Sequence, residues 1–161
     1  MTATKISAFI VTISDTRRLE TDASGDSLAE LLLSIDAKIV GKLIVSDDLD
    51  DIRNTLLVLT EREDVNLVLT TGGTGFAPRD NTPEATRMVI DREAPGIAEA
   101  MRRETAEKTP MAMLSRGVAG IKNGTLIINL PGSPKAVAEC FDVIRPILHH
   151  AVDLLAEHSS H

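Results

Sequence analysis

Apolar residues recur along the chain at two spacings, one typical of β-strands and the other typical of α-helices. Dense apolar runs predict strands in four places, at residues 5–13, 38–45, 66–70 and 124–130. Apolar residues three or four positions apart predict helices at 26–35, 49–63, about 83–93 and about 97–107, and again from Pro134 onward. Pro95-Gly96 separates the two middle helices, and Pro146 is expected to kink or interrupt the last one.

This alternation of strands and helices predicts an α/β fold. Successive βαβ units place parallel strands side by side with helices packed against them, so we expect a three-layer αβα arrangement: a mostly parallel sheet with helices on both faces. The chain has 161 residues and contains no linker, internal repeat or low-complexity run. Residues 1–161 are therefore predicted to form a single domain.

Composition and charge narrow the classes of partner. The formal net charge of −7 argues against a general nucleic-acid surface, which would be basic, and the lack of Trp and Tyr argues against stacking platforms for single strands. No apolar segment approaches the length of a membrane span, no signal peptide is recognisable, and the single cysteine, Cys140, fits a reducing compartment. We therefore expect a cytoplasmic protein with neither nucleic acid nor membrane as partner.

Small, polar or acidic residues follow each predicted strand. They are Ser14-Asp15, Ser46-Asp47-Asp48, residues 71–75 and residues 131–134. In an open α/β sheet, ligands bind outside the carboxyl ends of the strands. Because four such strand ends would lie along one edge of the sheet, the sequence predicts a binding site there.

The glycine-rich stretch TTGGTGFAPRDNTPEA at residues 70–85 is the most distinctive of these strand ends. Glycines let backbone N–H groups turn toward a ligand, and such donors beside a helix N-terminus bind phosphate. Thr82 is expected to cap the following helix, with Pro83 as its first residue. The stretch matches neither the P-loop nor the dinucleotide fingerprint. A tight turn that binds nothing is the alternative.

Asp80 and Asp47 are the acidic residues best placed for chemistry. A carboxylate just past an anion-binding loop is useful if a divalent cation lies between it and a phosphate, and Arg79 could balance charge or contact phosphate. The alternative for Asp80 is a carboxylate that complements a helix dipole. For the acidic run at 47–51, one residue is expected to cap the next helix, and Asp47, nearest the strand, is the best candidate ligand.

Two further clusters have competing explanations. Ser115-Arg116 could offer a hydroxyl and a guanidinium to a phosphate, or could form an exposed structural turn. Asp22, Ser24, Gly25 and Asp26 lie at the start of a predicted helix, and helix capping alone would explain them.

Five motifs together resemble the MogA/MoaB family of molybdenum cofactor biosynthesis proteins, which includes the G domain of gephyrin. They are TISD (12–15), DASGDSL (22–28), the glycine-rich stretch, SRGVAGI (115–121) and LPGSPKAV (130–137). The resemblance covers essentially the whole chain and lies nearer the MoaB branch. Active members bind molybdopterin and transfer AMP from Mg-ATP to its terminal phosphate, releasing pyrophosphate. The intact Pro78-Arg79-Asp80 resembles the catalytically competent members.

The resemblance implies roles for individual residues. It implies catalysis and Mg²⁺ binding for Asp80 and Asp47. It implies ligand binding for Gly72, Gly73, Thr74, Gly75, Ser115, Pro131, Gly132 and Ser133, with the glycines and Thr74 around phosphate, Ser115 near the pterin and residues 131–133 on the nucleotide side. Ser14, Asp15 and Arg79 are further candidate binding residues because of their positions after predicted strands. It also implies a homotrimer or homohexamer that works with other proteins of the pathway.

The implied chemistry needs no strong general base. A phosphate monoester has a second pKa of about 6 and is largely dianionic near neutral pH, so it can attack without losing a proton. Alignment and charge shielding of two anions are required instead, and Asp80 is assigned as a metal ligand or positioning residue. The alternatives are a non-catalytic molybdopterin carrier of the same pathway and an unrelated nucleotide- or phosphosugar-binding protein.

Overall fold

Residues 3–159 are described by the computed structural model; residues 1–2 and 160–161, part of the predicted domain 1–161, lie outside the described residues. The strands are β1 (Ser7–Ile13), β2 (Lys38–Val45), β3 (Leu67–Thr71), β4 (Arg92–Glu93), β5 (Ala119–Lys122) and β6 (Thr125–Leu130). The α-helices are α1 (Ala23–Ser34), α2 (Leu49–Glu61), α3 (Thr82–Val89), α4 (Pro95–Ala106), α5 (Pro134–Ile144) and α6 (Leu148–Ser159). Short 3₁₀ helices occur at Leu19–Thr21, Pro110–Leu114 and Arg145–Ile147.

The strands form one sheet in the order β2-β1-β3-β6-β5-β4. The pairs β1–β2, β1–β3 and β3–β6 are parallel, whereas β5 pairs antiparallel with both β6 and β4. The prediction of a mostly parallel sheet is therefore confirmed.

The antiparallel strands β4 and β5 are absent from the sequence-based expectation. The helix predicted at about 83–93 includes residues 92–93, but α3 ends at Val89 and these two residues pair with β5 instead. The β5–β6 hairpin turns at Asn123-Gly124, where both φ angles are positive, at 51° and 77°. Asn-Gly is a strong signal for a two-residue hairpin turn, so this strand pair was recognisable from local sequence.

Apolar side chains are buried on both faces of the sheet. Since successive residues of a strand point to opposite faces, Ile10 and Leu69 pack with α1, α4, α5 and α6, while Val11 and Val68 pack with α2 and α3. This confirms the three-layer αβα arrangement.

Prolines set two helix boundaries. Helix α4 begins at Pro95, two residues before its predicted start, because proline fits the first turn, where its missing N–H is not needed. Pro146 lies in the 3₁₀ segment between α5 and α6, which confirms the predicted interruption. Across the described residues, no helix combines the length and apolar character needed to cross a bilayer.

Candidate functional site

The glycine loop after β3 has a backbone that only glycine adopts easily. Gly72 and Gly73 have φ angles of 99° and 69°, and a Cβ added to Gly72 would lie 2.5 Å from the carbonyl oxygen of Ile13. The hydroxyl of Thr82 donates to the Gly72 carbonyl at 2.9 Å, and the Thr82 N–H donates to the Gly73 carbonyl at 3.1 Å. These bonds tie the loop to the start of α3.

The prediction that Thr82 caps α3 is wrong. Asn81 occupies the N-cap position, and Thr82 and Pro83 are the first two helical residues. The Thr82 hydroxyl is used on the glycine loop, and the Asn81 amide donates to the Asp47 carbonyl at 3.0 Å. The start of α3 is therefore joined to the ends of both β2 and β3.

Asp80 is half-buried and held through both its side chain and its backbone. Its Oδ2 accepts the Ala77 N–H at 2.9 Å, and its own N–H donates to the Ala77 carbonyl at 2.9 Å. Its carbonyl accepts from Arg116 Nη2 at 2.7 Å. This closed turn fixes the direction of the carboxylate.

Arg116 anchors the glycine loop. Its N–H donates to the Thr74 carbonyl at 2.8 Å, its Nε donates to the Gly75 carbonyl at 2.8 Å, and its Nη1 pairs with Glu84. All three guanidinium nitrogens are thus engaged with the protein. Of the two explanations for this residue, the structural one fits these contacts.

A cavity of about 470 Å³ opens beside the carboxyl ends of β3 and β6, against α4, α5 and the Pro110–Leu114 segment. Eight of the candidate site residues line it: Gly73, Thr74, Gly75, Asp80, Ser115, Pro131, Gly132 and Ser133. They come from three separate segments of the chain, so the fold brings together residues that the sequence keeps far apart.

The other candidate residues gather at the ends of β1 and β2. The Asp15 N–H donates to Asp47 Oδ2 at 2.9 Å, and the Asp47 N–H donates to Asp15 Oδ1 at 3.0 Å. Arg79 donates two hydrogen bonds to the Asp15 carboxylate, from Nε at 2.7 Å and from Nη2 at 3.0 Å. Ser14 Oγ accepts the Arg17 N–H at 3.0 Å and shapes the turn. Asp15, Asp47 and Arg79 are called the acidic cluster. The Gly72 Cα lies 3.5 Å from a Cβ added to Gly132, a residue of the cavity wall.

The two carboxyl groups of the acidic cluster titrate differently. Hydrogen bonds from Arg79, with help from the Asp47 N–H, lower the pKa of Asp15 to about 2. Burial, followed by repulsion from Asp15, raises the pKa of Asp47 above its usual value. Asp15 is thus the more firmly ionised of the pair.

A second network joins α1 to the loop after β6. Asp22 is fully buried, accepts the Thr12 hydroxyl at 2.6 Å and caps α1 through the Gly25 N–H at 3.0 Å. Arg17 Nη2 and Ser24 Oγ both donate to the Gly132 carbonyl, at 3.1 and 2.5 Å. Helix capping therefore explains Asp22, whereas Ser24 and Arg17 hold one wall of the cavity.

Sequence reasoning missed the wall formed by α4 and the Pro110–Leu114 segment. In this wall, α4 contributes Met101, Arg102 and Thr105, and the Pro110–Leu114 segment contributes Met111 and Leu114. These residues carry no local signal, since each is ordinary on an amphipathic helix. Cys140 also lines the cavity but is only 6% exposed and packs in the core, and burial raises its thiol pKa to about 11.

The carboxylates near the cavity suit a cation that binds together with a phosphate ligand, rather than a cation whose coordination shell is completed by the protein. Among the described residues, no three His, Cys, Asp or Glu side chains are grouped to hold a metal. Mg²⁺ usually takes one or two carboxylates and completes its shell with phosphate oxygens and water. Asp80, in the cavity wall, fits that role. Asp47 lies with Asp15, away from the cavity lining in the described part of the chain.

Comparison with known proteins gives consistent matches. The family model described as "Probable molybdopterin binding domain" matches residues 9–150. The chain is 45% identical over 152 residues to molybdenum cofactor synthesis protein cinnamon of Drosophila melanogaster, covering 92% of this chain and 25% of that protein. It is 46% identical over 112 residues to molybdopterin adenylyltransferase of Helicobacter pylori strain J99, covering 70% of this chain and 64% of that protein.

The fold is also found among solved structures. A crystal structure of molybdenum cofactor biosynthesis protein B superposes with a TM-score of 0.92 at 38% identity, covering 98% of this chain and 99% of that one. By contrast, the matches span a quarter of cinnamon and under two thirds of the Helicobacter enzyme.

Proposed function

Because this chain belongs to the molybdopterin-binding domain family, as its motifs and its relatives agree, we propose that it is a nucleotidyltransferase of molybdenum cofactor biosynthesis. It transfers AMP from ATP to the terminal phosphate of molybdopterin and releases pyrophosphate. The observation that carries this proposal is that the glycine loop, Asp80, Ser115 and residues 131–133 all line the same cavity. The name of the Helicobacter relative supports the reaction class.

The chain's own contribution is alignment of two anions. An oxygen of the pterin phosphate forms a bond to the α-phosphorus of ATP while the bond from that phosphorus to the bridging oxygen breaks, and pyrophosphate leaves. Backbone N–H groups of the glycine loop offset the negative charge, and the dianionic nucleophile needs no base. Ala98 and Met101, both buried, give the cavity an apolar wall on α4.

We assign Asp80 as the residue that holds Mg²⁺, which when bound shields the repelling phosphates. Its turn with Ala77 and Arg116 keeps the carboxylate on the cavity wall. Asp47, with Asp15 and Arg79, forms the neighbouring part of the same sheet edge and is proposed as the second acidic group.

Pyrophosphate release tests the proposal. Purified protein with Mg-ATP and molybdopterin should release pyrophosphate, and Asp80→Asn should slow this about a hundredfold or more because the ligand charge is lost. Calorimetry should show that the variant still binds the pterin. Asp142→Asn, an exposed substitution on α5, is the matched control and should behave like the wild type. Equal turnover in the Asp80 variant would remove that residue from the mechanism.

The alternatives give different outcomes in the same assay. A non-catalytic carrier binds molybdopterin but releases no pyrophosphate. A protein for unrelated nucleotides or phosphosugars binds ATP and gives no heat with molybdopterin.

We further propose that the protein acts in the cytoplasm, as a homotrimer or homohexamer, with other proteins of the pathway. The family supports the pathway role. Light scattering coupled to size exclusion distinguishes the two assemblies from a monomer, whose mass would be 17.3 kDa.

A further inference from the structure

Arg102, on α4, is the cationic side chain of the cavity wall. Within the described part of the chain, the charged residues that line the cavity are Asp80, Arg102 and Glu139. The wall therefore carries two negative charges and one positive charge. A phosphorylated ligand entering it meets repulsion from both carboxylates, and Arg102 supplies the opposing charge.

One nitrogen of the Arg102 guanidinium, Nη1, is hydrogen-bonded to the protein backbone. Its Nη1 donates to the Gly117 carbonyl at 2.8 Å and to the Ser115 carbonyl at 3.3 Å. A guanidinium also carries N–H donors at Nε and Nη2. In the described residues these two atoms make no hydrogen bond to protein, and no buried side-chain nitrogen lacks a partner, so they are open to the cavity or to solvent.

These hydrogen bonds link Arg102, through the 115–117 segment, to the glycine loop. The two carbonyls that it binds flank Arg116, and Arg116 in turn binds the carbonyls of Thr74 and Gly75. Ser115, whose Oγ accepts the Gly117 N–H at 3.3 Å, belongs to the same segment. Arg102, Ser115 and the loop therefore form one continuous part of the cavity wall.

We propose that Arg102 is a specificity-determining residue that binds the terminal phosphate of the pterin substrate through Nε and Nη2, an inference that rests on the proposed function. The planar fork of arginine matches two phosphate oxygens at once, which a lysine ammonium does not do. Arg102 thus selects phosphorylated pterin over its dephosphorylated form. Because Nη1 is already fixed, little side-chain freedom is lost when phosphate binds.

Calorimetric titration with molybdopterin and with phosphatase-treated molybdopterin tests this assignment. The wild type should bind the phosphorylated form more tightly, and Arg102→Met should weaken that binding about ten- to a hundredfold, the range for a charged hydrogen bond. Binding of the dephosphorylated form should change less than about threefold. Arg102→Lys keeps the charge but lacks the planar fork of arginine, so its affinity for molybdopterin should lie between those of the wild type and Arg102→Met. Arg103→Met, at the adjacent exposed arginine, is the control and should leave both affinities unchanged.

The outcomes separate this inference from the proposed function. If the wild type binds neither ligand, the proposed function fails. If it binds molybdopterin and both Arg102 variants keep the full preference for the phosphorylated form, the assignment of Arg102 is wrong while the proposed function stands. Should Arg102→Met fail to fold by circular dichroism, the lysine variant decides alone, and an unchanged preference in it overturns the proposal.

Discussion

At the scale of single residues, Asp15 and Asp47 show how neighbours divide the behaviour of two identical side chains. Each carboxylate accepts the other's backbone N–H, so their hydrogen bonds are nearly symmetric. Arg79 breaks the symmetry by binding Asp15, which lowers the pKa of Asp15 and leaves the more buried Asp47 with a raised pKa. The charge of Asp47 is therefore the less stable of the two in the folded protein.

Asp47→Asn is expected to raise the melting temperature at neutral pH. Since folding raises the pKa of Asp47, its contribution to stability is present below the usual value of 3.8 and is lost as pH rises through the folded pKa. Asn removes the unfavourable charge but keeps an oxygen for the Asp15 N–H. Thermal unfolding followed by circular dichroism at about pH 7 and about pH 3 measures the difference, which should vanish at the lower pH.

Asp15→Asn is the matched comparison and should have the opposite sign. Folding lowers the pKa of Asp15, so its contribution is present above 3.8 and is lost as pH falls toward about 2. The variant should melt earlier than the wild type at neutral pH. Shifts of the same sign in both variants would contradict this account of the pair.

At the scale of elements, capping side chains start three helices at the carboxyl edge of the sheet. Asp22, Asp48 and Ser133 accept N–H groups at the starts of α1, α2 and α5. The expectation that one acidic residue of the 47–51 run would cap a helix is confirmed for Asp48. Asp47 is thereby left free to pair with Asp15.

Two Gly→Ala substitutions should have opposite effects because of the elements that hold them. At Gly72, after β3, the φ of 99° and the approach to Ile13 should cost at least about 2 kcal/mol, lowering the melting temperature by at least about 4 °C. At Gly96, in the first turn of α4, a Cβ meets nothing within 4 Å, and alanine should stabilise by up to about 0.5 kcal/mol. Thermal unfolding measures both, and equal shifts would contradict the requirement for glycine at position 72.

At the scale of the whole molecule, strand order determines where the candidate site forms. The chain runs from β1 outward to β2 and then crosses to β3 on the other side of β1. Such a reversal leaves a crevice at the carboxyl ends of β1 and β3. The acidic cluster lies on one side of it, and the glycine loop and cavity lie on the other.

The core on the sheet face covered by α1, α4, α5 and α6 contributes strongly to global stability. Phe141 is fully buried there, and Phe141→Ala should cost about 3–5 kcal/mol. Phe76→Ala, at a side chain that is 68% exposed, should change the unfolding free energy by less than about 0.5 kcal/mol. Urea unfolding by circular dichroism is suitable, since the chain lacks Trp and Tyr. Similar losses in both variants would contradict this assignment of the core.

The amino-acid sequence by itself determined the four parallel strands, the main helices, the glycine loop and the polar strand ends. These features follow from local chemistry: apolar periodicity, the fixed φ of proline and the freedom of glycine at positive φ. The Asn123-Gly124 hairpin was encoded just as locally.

Only the tertiary structure decided which of these residues meet. Asp47 follows β2 and Asp80 follows β3, the next strand along the chain. In the fold, however, Asp80 lines the cavity while Asp47 pairs with Asp15, because β1 lies between β2 and β3 in the sheet. Arg102 became part of the cavity wall because α4 packs beside the 115–117 segment. Contacts between distant segments depend on strand order and helix packing, which no local pattern specifies.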